Sequence, residues 1–290
     1  MAELATESAN VRRAVRGQRV PATLVVGALV LIAIVVVAIV ATFITPYPYD
    51  EMNILVRLKP PSEAHWFGTD EYGRDVLSRA LIGARATLIK GFGATALSLL
   101  AGVPLGLIAG YRRGSVDEAI MRAMDVLMSF PPILLGLLVL AVTTPSLWKA
   151  MLAVGIVYVP PMVRLTRSVT LEIAQEEFIL AAQARGDSAW RILLAEILPN
   201  AWPPIAVEAS LRITFAILLG AALSFLGLGA QPPSADWGLM ISEARAFIEK
   251  APWITLAPGI LMCITVIAIN LLGDGLREVL DPRMRVVRTS

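Results

Sequence analysis

The side chains that most often carry out chemistry are scarce in this sequence. His65 is the only histidine and Cys263 the only cysteine, so neither a zinc site of Cys and His ligands nor a histidine-dependent nucleophile can be assembled. None of the four lysines follows the glycines of a phosphate-binding loop. We therefore expect a non-catalytic chain that holds no cofactor or metal of its own and does not hydrolyse ATP.

One segment has the spacing of a helix that ends in a sharp turn. Small, apolar and basic side chains recur at a helical period, at Phe178, Ala181, Ala182 and Arg185. Gly186 follows them, and glycine adopts the left-handed conformation that ends a helix at little steric cost. The sequence therefore predicts an elbow at Gly186.

A second short helix is predicted directly after this elbow. Asp187 or Ser188 can cap its first turn, and the prolines at 199, 203 and 204 are expected to stop it. Its apolar positions repeat at i, i+3, i+4 and i+7 and form one stripe: Trp190, Leu193, Leu194 and Ile197. Two interpretations stay open, because the stripe can pack on the protein's own helix ends or dock another protein.

The composition and the charge-free runs indicate that the elbow is attached to membrane-spanning segments. Of the 290 residues, 57% are hydrophobic and 17% are charged, against about 45–50% and about 25% in average soluble chains. This excludes a disordered chain and a water-soluble domain. Six runs lack any charged residue or histidine: Val20–Tyr49, Gly91–Tyr111, Val126–Trp148, Ala150–Val163, Ile213–Ala235 and Ala251–Gly273.

These runs predict an all-α integral membrane protein, since about 20 apolar residues cross roughly 30 Å of hydrocarbon. Six spanning helices are expected near 22–45, 88–110, 120–142, 148–168, 206–229 and 254–275. The fourth has a short charge-free core that contains Pro160 and Pro161. If it continued the third as one long broken helix, the chain would cross only five times.

The spans divide the chain into five parts. These are an N-terminal tail (1–19), the first spanning helix (20–45), an outer segment with an interfacial helix (46–86), a core of five spanning helices with the elbow loop near 171–205 (87–278), and a C-terminal tail (279–290). Sixteen of the 25 Lys and Arg fall on the side of the tails and the elbow. The positive-inside rule places that side, and both termini, in the cytoplasm. Lipid is an expected partner and nucleic acid is not.

Ionisable residues inside the spans are rare. Proton-coupled carriers keep such residues within the bundle, but here Glu208 and Arg212 lie four apart near the start of the fifth span and are expected to pair. The bundle has no evident energy source of its own. A self-sufficient channel or secondary carrier is the competing class.

The elbow segment resembles the EAA loop of ABC importer permeases. Residues 176–186, then nine residues, then 196–200 follow its pattern. The matching positions are Ala181, Ala182, Gly186, Leu198 and Pro199. Two positions depart from it, since Leu180 replaces the motif's glutamate and Glu196 its isoleucine. The lost glutamate removes a polar contact but leaves the elbow intact.

Three further stretches are similar to the C-type permease subunit of the dipeptide, oligopeptide and nickel branch. They are Phe67–Arg79, Ser224–Pro233, and Gly273–Arg277 with Asp281–Pro282. The four motifs occur in the same order as in that branch.

This resemblance implies a type I ABC importer permease fold in a bacterial inner membrane. It implies a second, similar permease in a heterodimer, two ABC ATPase subunits that hold ATP and magnesium, and an extracytoplasmic binding protein. The expected substrates are di- and oligopeptides or peptide-like solutes, with nickel, opines, glutathione or oligosaccharides as alternatives. The residues expected to couple to the ATPase are Glu177, Phe178, Ala181, Ala182, Gly186, Asp187, Trp190, Leu193, Ile197, Leu198 and Pro199.

Overall fold

A computed structural model describes residues 21–142 and 144–280 of the chain. In this part of the chain the regular structure is helical, and no β-strand is present. The helices are α1 Ala22–Ile44, α2 Val76–Arg112, α3 Gly114–Met128, α4 Pro132–Ala141, α5 Leu147–Ile173, α6 Glu177–Ala184, α7 Ala189–Phe225, α8 Trp237–Ala244 and α9 Trp253–Leu280. The predicted tail 1–19 lies outside the described residues. In the predicted tail 279–290, residues 279 and 280 belong to α9, and residues 281–290 lie outside the described residues.

Five of these helices are long and apolar enough to cross a membrane: α1, α2, α5, α7 and α9. The third predicted span, 120–142, is not one straight helix. It is divided into α3 and α4, which are bent by 90° at a short break, and the pair counts as a sixth span only if both halves are taken together. The cause is Pro131 and Pro132, since proline disfavours helical geometry in the residue before it.

The fourth predicted span is a separate helix, α5. Ser146 caps its first turn by accepting a hydrogen bond from the backbone N–H of Lys149 at 3.3 Å. Pro160 and Pro161 lie inside α5 without ending it. Helix α5 begins at Leu147 after α4 ends at Ala141, so the third and fourth predicted spans are not one continuous helix, and the structure has five spans, or six if α3 and α4 together form one.

In the outer segment, the helix expected before the second span is continuous with that span, and a single 3-10 turn, Ile54–Val56, precedes it. Asp75 caps α2 by accepting from the backbone N–H of Ser78 at 2.8 Å, and residues 76–86 are the first turns of that helix. With 37 residues and a rise of about 1.5 Å per residue, α2 is about 55 Å long. It must therefore project well beyond a hydrocarbon layer of roughly 30 Å.

Close packing of α2 on α5 forms the centre of the bundle. Gly102, Gly106 and Gly110 lie four residues apart on the α2 face that meets α5. A Cβ at Gly106 would lie 2.8 Å from the carbonyl oxygen of Val163. Small residues at this spacing let two helix backbones approach closely, which is how spanning helices associate without a hydrophobic driving force.

The two ends of the bundle differ. At one end, which we call the cap, residues 45–90 of the outer segment and early α2 pack against residues 226–252, around a fully buried Trp237. At the other end, which we call the elbow end, residues 174–205 pack against the last turns of α2. This segment contains the elbow at Gly186.

We expect Gly106→Ala to destabilise the chain by about 1–3 kcal/mol, because the added methyl overpacks a backbone contact. Gly259 is the matched control: it is also helical, but a Cβ there meets nothing within 4 Å. Gly259→Ala should be neutral or stabilising by up to about 1 kcal/mol. Thermal unfolding of the detergent-solubilised variants measures both effects, and equal midpoints would contradict the packing argument.

Candidate functional site

The elbow between α6 and α7 has the backbone geometry predicted for it. Gly186 has a φ of 80°, in the left-handed region. Its N–H donates to the carbonyl of Gln183 at 2.9 Å, and the N–H of Asp187 donates to the carbonyl of Ala182 at 3.2 Å. These two bonds form a Schellman motif, in which the orphan carbonyls at the end of α6 are satisfied. The predicted left-handed turn at Gly186 is confirmed.

Ser188, rather than Asp187, caps the helix that follows. Its hydroxyl accepts a hydrogen bond from the backbone N–H of Arg191 at 3.4 Å. Asp187 instead accepts from the guanidinium of Arg185 at 3.0 Å, and its other oxygen lies 3.5 Å from that of Arg191. The carboxylate therefore braces the turn between two arginines.

The helix after the elbow does not stop at its prolines, and this corrects the sequence prediction. It continues as α7 from Ala189 to Phe225, with Pro199, Pro203 and Pro204 inside it. Residues Ile192–Ile197 wind as a π-helix, and the side-chain amide of Asn200 donates to the carbonyl of Glu196 at 2.7 Å. The π segment ends just before Pro199, and the chain stays helical through all three prolines. The elbow is thus joined to a spanning helix without a break.

The apolar stripe is divided between the two interpretations left open by the sequence. Leu193 is 4% exposed and Ile197 is 0% exposed, and both pack in a cluster with residues of α2, α5 and α6. Trp190 is 60% exposed and Leu194 is 56% exposed. One half of the stripe fastens the elbow to the bundle, and the other half is left uncovered.

The other predicted coupling residues follow the same division. Ala182 is buried beside Ile179 in that cluster, and Leu198 packs against it while half-buried. The exposed ones are Glu177, Phe178, Ala181, Gly186 and Pro199. Asp187 is half-buried. The uncovered surface of the elbow is therefore formed by α6 and the start of α7, and it includes four large apolar side chains: Phe178, Leu180, Trp190 and Leu194.

A cleft of about 580 Å³ opens beside α6. It is lined by Tyr111, Arg113, Ala174, Gln175, Leu180 and Gln183. Leu180 is the position at which the EAA pattern has a glutamate, so this chain presents an apolar side chain to the cleft where the pattern has a carboxylate. Two ion pairs, Arg167 with Asp117 and Arg164 with Asp125, tie α5 to α3 near the same end.

The cap holds a charged cluster that the sequence analysis did not predict. The guanidinium of Arg74 lies 2.5 Å from Asp70 and 2.9 Å from Glu243, and Glu243 also accepts from Arg79 at 3.1 Å. Burial raises the pKa of Glu71, and the neighbouring carboxylates of Asp70 and Glu243 raise it further. Burial alone would lower the pKa of Arg74, but these acidic neighbours raise it.

A second ionic contact missed by the sequence analysis joins Lys90 to Asp236. The two charged atoms lie 2.8 Å apart, and both side chains are 0% exposed. A signal was present, because Lys90 directly precedes one charge-free run and Asp236 directly follows another. Runs that end at the same membrane level bring their bordering charges together. The predicted pair of Glu208 with Arg212 is confirmed.

No group of three or more His, Cys, Asp or Glu residues is arranged to hold a metal ion within 21–142 and 144–280. His65 instead places its Nδ1 2.9 Å from a carboxylate oxygen of Asp75, next to the start of α2. Its surroundings are those of a structural contact in the cap.

The fold is that of a membrane permease of ABC importers. Inward-facing structures of the MetNI methionine ABC transporter contain a chain that superposes on this one with a TM-score of 0.59, over 71% of this chain and 96% of that chain, at 20% sequence identity. The chain belongs to the family of binding-protein-dependent transport system inner membrane components, whose model matches residues 102–286. Residues 23–61 match the N-terminal transmembrane domain of oligopeptide transport permease C.

The chain is similar to permeases of peptide and glutathione transport systems. The chain is 45% identical to the dipeptide transport system permease protein DppC of Alkalihalophilus pseudofirmus, over 90% of this chain and 86% of that protein. It is 39% identical to the oligopeptide transport system permease protein OppC of Bacillus subtilis, over 90% and 86%. It is 42% identical to the glutathione transport system permease protein GsiD of Pectobacterium atrosepticum, over 84% and 82%.

The division of the stripe into a buried and an exposed half predicts that two truncations differ greatly in their effect on stability. Leu193→Ala empties a buried site and should cost about 2–5 kcal/mol. Trp190→Ala removes an exposed side chain and should change stability by no more than about 0.5 kcal/mol. Thermal unfolding of the purified chain tests both, and a larger loss for Trp190→Ala than for Leu193→Ala would refute the assignment of faces.

Proposed function

We propose that this chain is the transmembrane permease subunit of an ATP-driven ABC importer for di- and oligopeptides or peptide-like solutes. The observation that carries the proposal is the elbow, which presents exposed apolar side chains and is continuous with a spanning helix. A surface of this kind suits a docked partner that moves the helix. The names of the relatives, which specify dipeptide, oligopeptide and glutathione transport, support the substrate class.

The proposed assembly contains a second, similar permease as a heterodimeric partner, two ABC ATPase subunits and an extracytoplasmic substrate-binding protein. ATP and magnesium are bound by the ATPase subunits, and this chain takes no catalytic part. The elbow is the coupling element: Phe178, Trp190 and Leu194 enter a groove of the ATPase, while Leu193 and Ile197 hold the elbow to the bundle.

The elbow end of the bundle lies in the cytoplasm and the cap lies outside it. The excess of Lys and Arg on the elbow side supports this orientation for a bacterial inner-membrane protein. With six crossings both termini are cytoplasmic. The cap then faces the side from which a binding protein delivers substrate.

In the proposed cycle, ATP binding brings the two ATPase subunits together, and the docked elbows follow. Because α7 runs from the elbow to the cap, a displacement of the elbow changes the position of a spanning helix. The bundle then shifts its population between inward-open and outward-open states. A self-sufficient channel would have no use for an uncovered apolar elbow.

Gly186→Val should leave the protein inserted in the membrane but uncouple ATP hydrolysis from uptake. A residue with a Cβ pays roughly 1–2 kcal/mol in the left-handed region, so valine shifts the elbow away from its native turn. Gly114→Val is the matched control, because Gly114 also has a positive φ of 57° and open surroundings but lies outside the elbow. Uptake at the wild-type level in the Gly186 variant would refute the coupling role.

Uptake assays in cells that lack only this gene test the substrate class. We expect labelled di- and tripeptide uptake to be lost and to return with the wild-type gene, while nickel uptake is unchanged. Glutathione, opine and oligosaccharide uptake are measured in parallel. Intact peptide uptake with loss of one of these others would overturn the peptide assignment and leave the importer assignment in place.

A further inference from the structure

A buried charged contact lies where α2, α7 and the segment before α8 meet. The ammonium of Lys90 donates to a carboxylate oxygen of Asp236 at 2.8 Å and to the hydroxyl of Ser224 at 2.9 Å. All three side chains are completely buried. Charges in such a place are tolerated only when they are paired and hydrogen-bonded. The contact is therefore an integral part of the folded core and not an incidental surface ion pair.

The backbone around this contact is shaped to admit the lysine. Gly220 of α7 lies against the lysine side chain, and a Cβ there would be 2.8 Å from the Cε atom of Lys90. Gly229 lies against Ser224, and a Cβ there would be 2.1 Å from the hydroxyl oxygen. Larger residues at these two glycines would displace the groups that bind each other.

Asp236 links the ammonium of Lys90 to the start of α8. Its second carboxylate oxygen accepts a hydrogen bond from the backbone N–H of Leu239 at 3.3 Å, which caps the helix. The next residue, Trp237, donates from its indole N–H to the carbonyl of Ala80 on α2 at 2.8 Å. One carboxylate thus serves both as a helix cap and as the counter-ion of a residue on another helix.

The far end of α8 is also fastened to the region where α2 begins. Glu243 accepts from Arg74 at 2.9 Å and from Arg79 at 3.1 Å. Contacts at Asp236 and Glu243 therefore hold both ends of an eight-residue helix. Of these two charged contacts, the Lys90 contact reaches α7, the helix that carries the elbow at its other end; the hydroxyl of Ser242 in α8 adds a neutral hydrogen bond to the carbonyl of Phe225 in α7 at 2.6 Å.

We propose that Lys90 is a positioning residue that fastens α8 to α2 and α7, so that the cap and the spanning helices move as one body. The inference rests on the proposed importer function. Its consequence is that docking of the binding protein on the cap is transmitted along α7 to the elbow and the ATPase. Without the contact, the cap loosens and that transmission is lost.

The test uses the assembled transporter in lipid, with Lys90→Met, Asp236→Asn, the double variant and Ser224→Ala. Asparagine keeps an oxygen for capping α8. Lys149→Met is the control, because Lys149 lies in the first turn of α5, away from this contact, and donates to the hydroxyl of Thr144 at 2.6 Å. Hydrogen exchange of residues 237–244 and 177–197 is measured together with ATPase activity, with and without the binding protein loaded with alanyl-alanine.

For Lys90→Met we expect exchange in 237–244 to accelerate by about 10-fold or more, while exchange in 177–197 is unchanged. Basal ATPase activity should persist and its stimulation by the loaded binding protein should be lost. The double variant should regain part of the slow exchange, because it buries no unpaired charge, but not the stimulation, because the contact between α2 and α8 is still missing. The Lys149 variant should match the wild type.

Wild-type exchange in 237–244 together with wild-type stimulation in Lys90→Met would overturn the proposal. If that variant does not assemble, Ser224→Ala decides, since it removes one hydrogen bond and leaves no charge unpaired. It should show a smaller acceleration confined to 237–244, and unchanged exchange there would equally overturn the proposal. Failure of the wild-type complex to be stimulated would count against the importer function, while the exchange data would still test the role of Lys90.

Discussion

Two helices of this protein exceed the thickness of the membrane by far more than the other spanning helices do, and the remaining structure depends on that excess. Helices α2 and α7 have 37 residues each, about 55 Å at 1.5 Å per residue, against roughly 30 Å of hydrocarbon. The charge-free run of α2 begins at Gly91 and the predicted span within α7 begins at 206, which leaves residues 76–90 of α2 beyond one face and residues 189–205 of α7 beyond the other. The first projection forms the wall of the cap, and the second forms the elbow.

The two projections are stabilised in different ways. The cap is held by a buried tryptophan and by charged contacts in which Arg74, Lys90 and Asp236 are almost entirely removed from water. The elbow is held by apolar packing of Leu193 and Ile197, and it leaves Trp190 and Leu194 uncovered. A closed, ionically fixed end and an open, apolar end are consistent with a rigid outer face and a docking inner face.

Sequence patterns predicted the features that depend on local physics. The hydrophobic runs located the spans, and the glycine at 186 located the elbow. Patterns failed where neighbouring helices decide the outcome. The prolines in α7 were expected to stop the helix, but the helix continues through them and winds as a π-helix just before Pro199. Lys90 and Asp236 are 146 residues apart in the sequence. No local periodicity predicts their pairing, which is indicated only by the charge-free runs that they border. Which side chains of the stripe are buried depends on the helices packed against it, so the stripe's own sequence could not predict it.

The central claim is that the uncovered face of the elbow contacts the ATPase. In a Cys263→Ser background, which removes the one native cysteine, single cysteines at 190, 193, 194 and 197 can be tested in the assembled complex with a short thiol-to-amine cross-linker. The account predicts adducts with the ATPase from 190 and 194 and none from 193 and 197. Adducts from the buried pair, or none from the exposed pair in a complex that retains its ATPase, would contradict it.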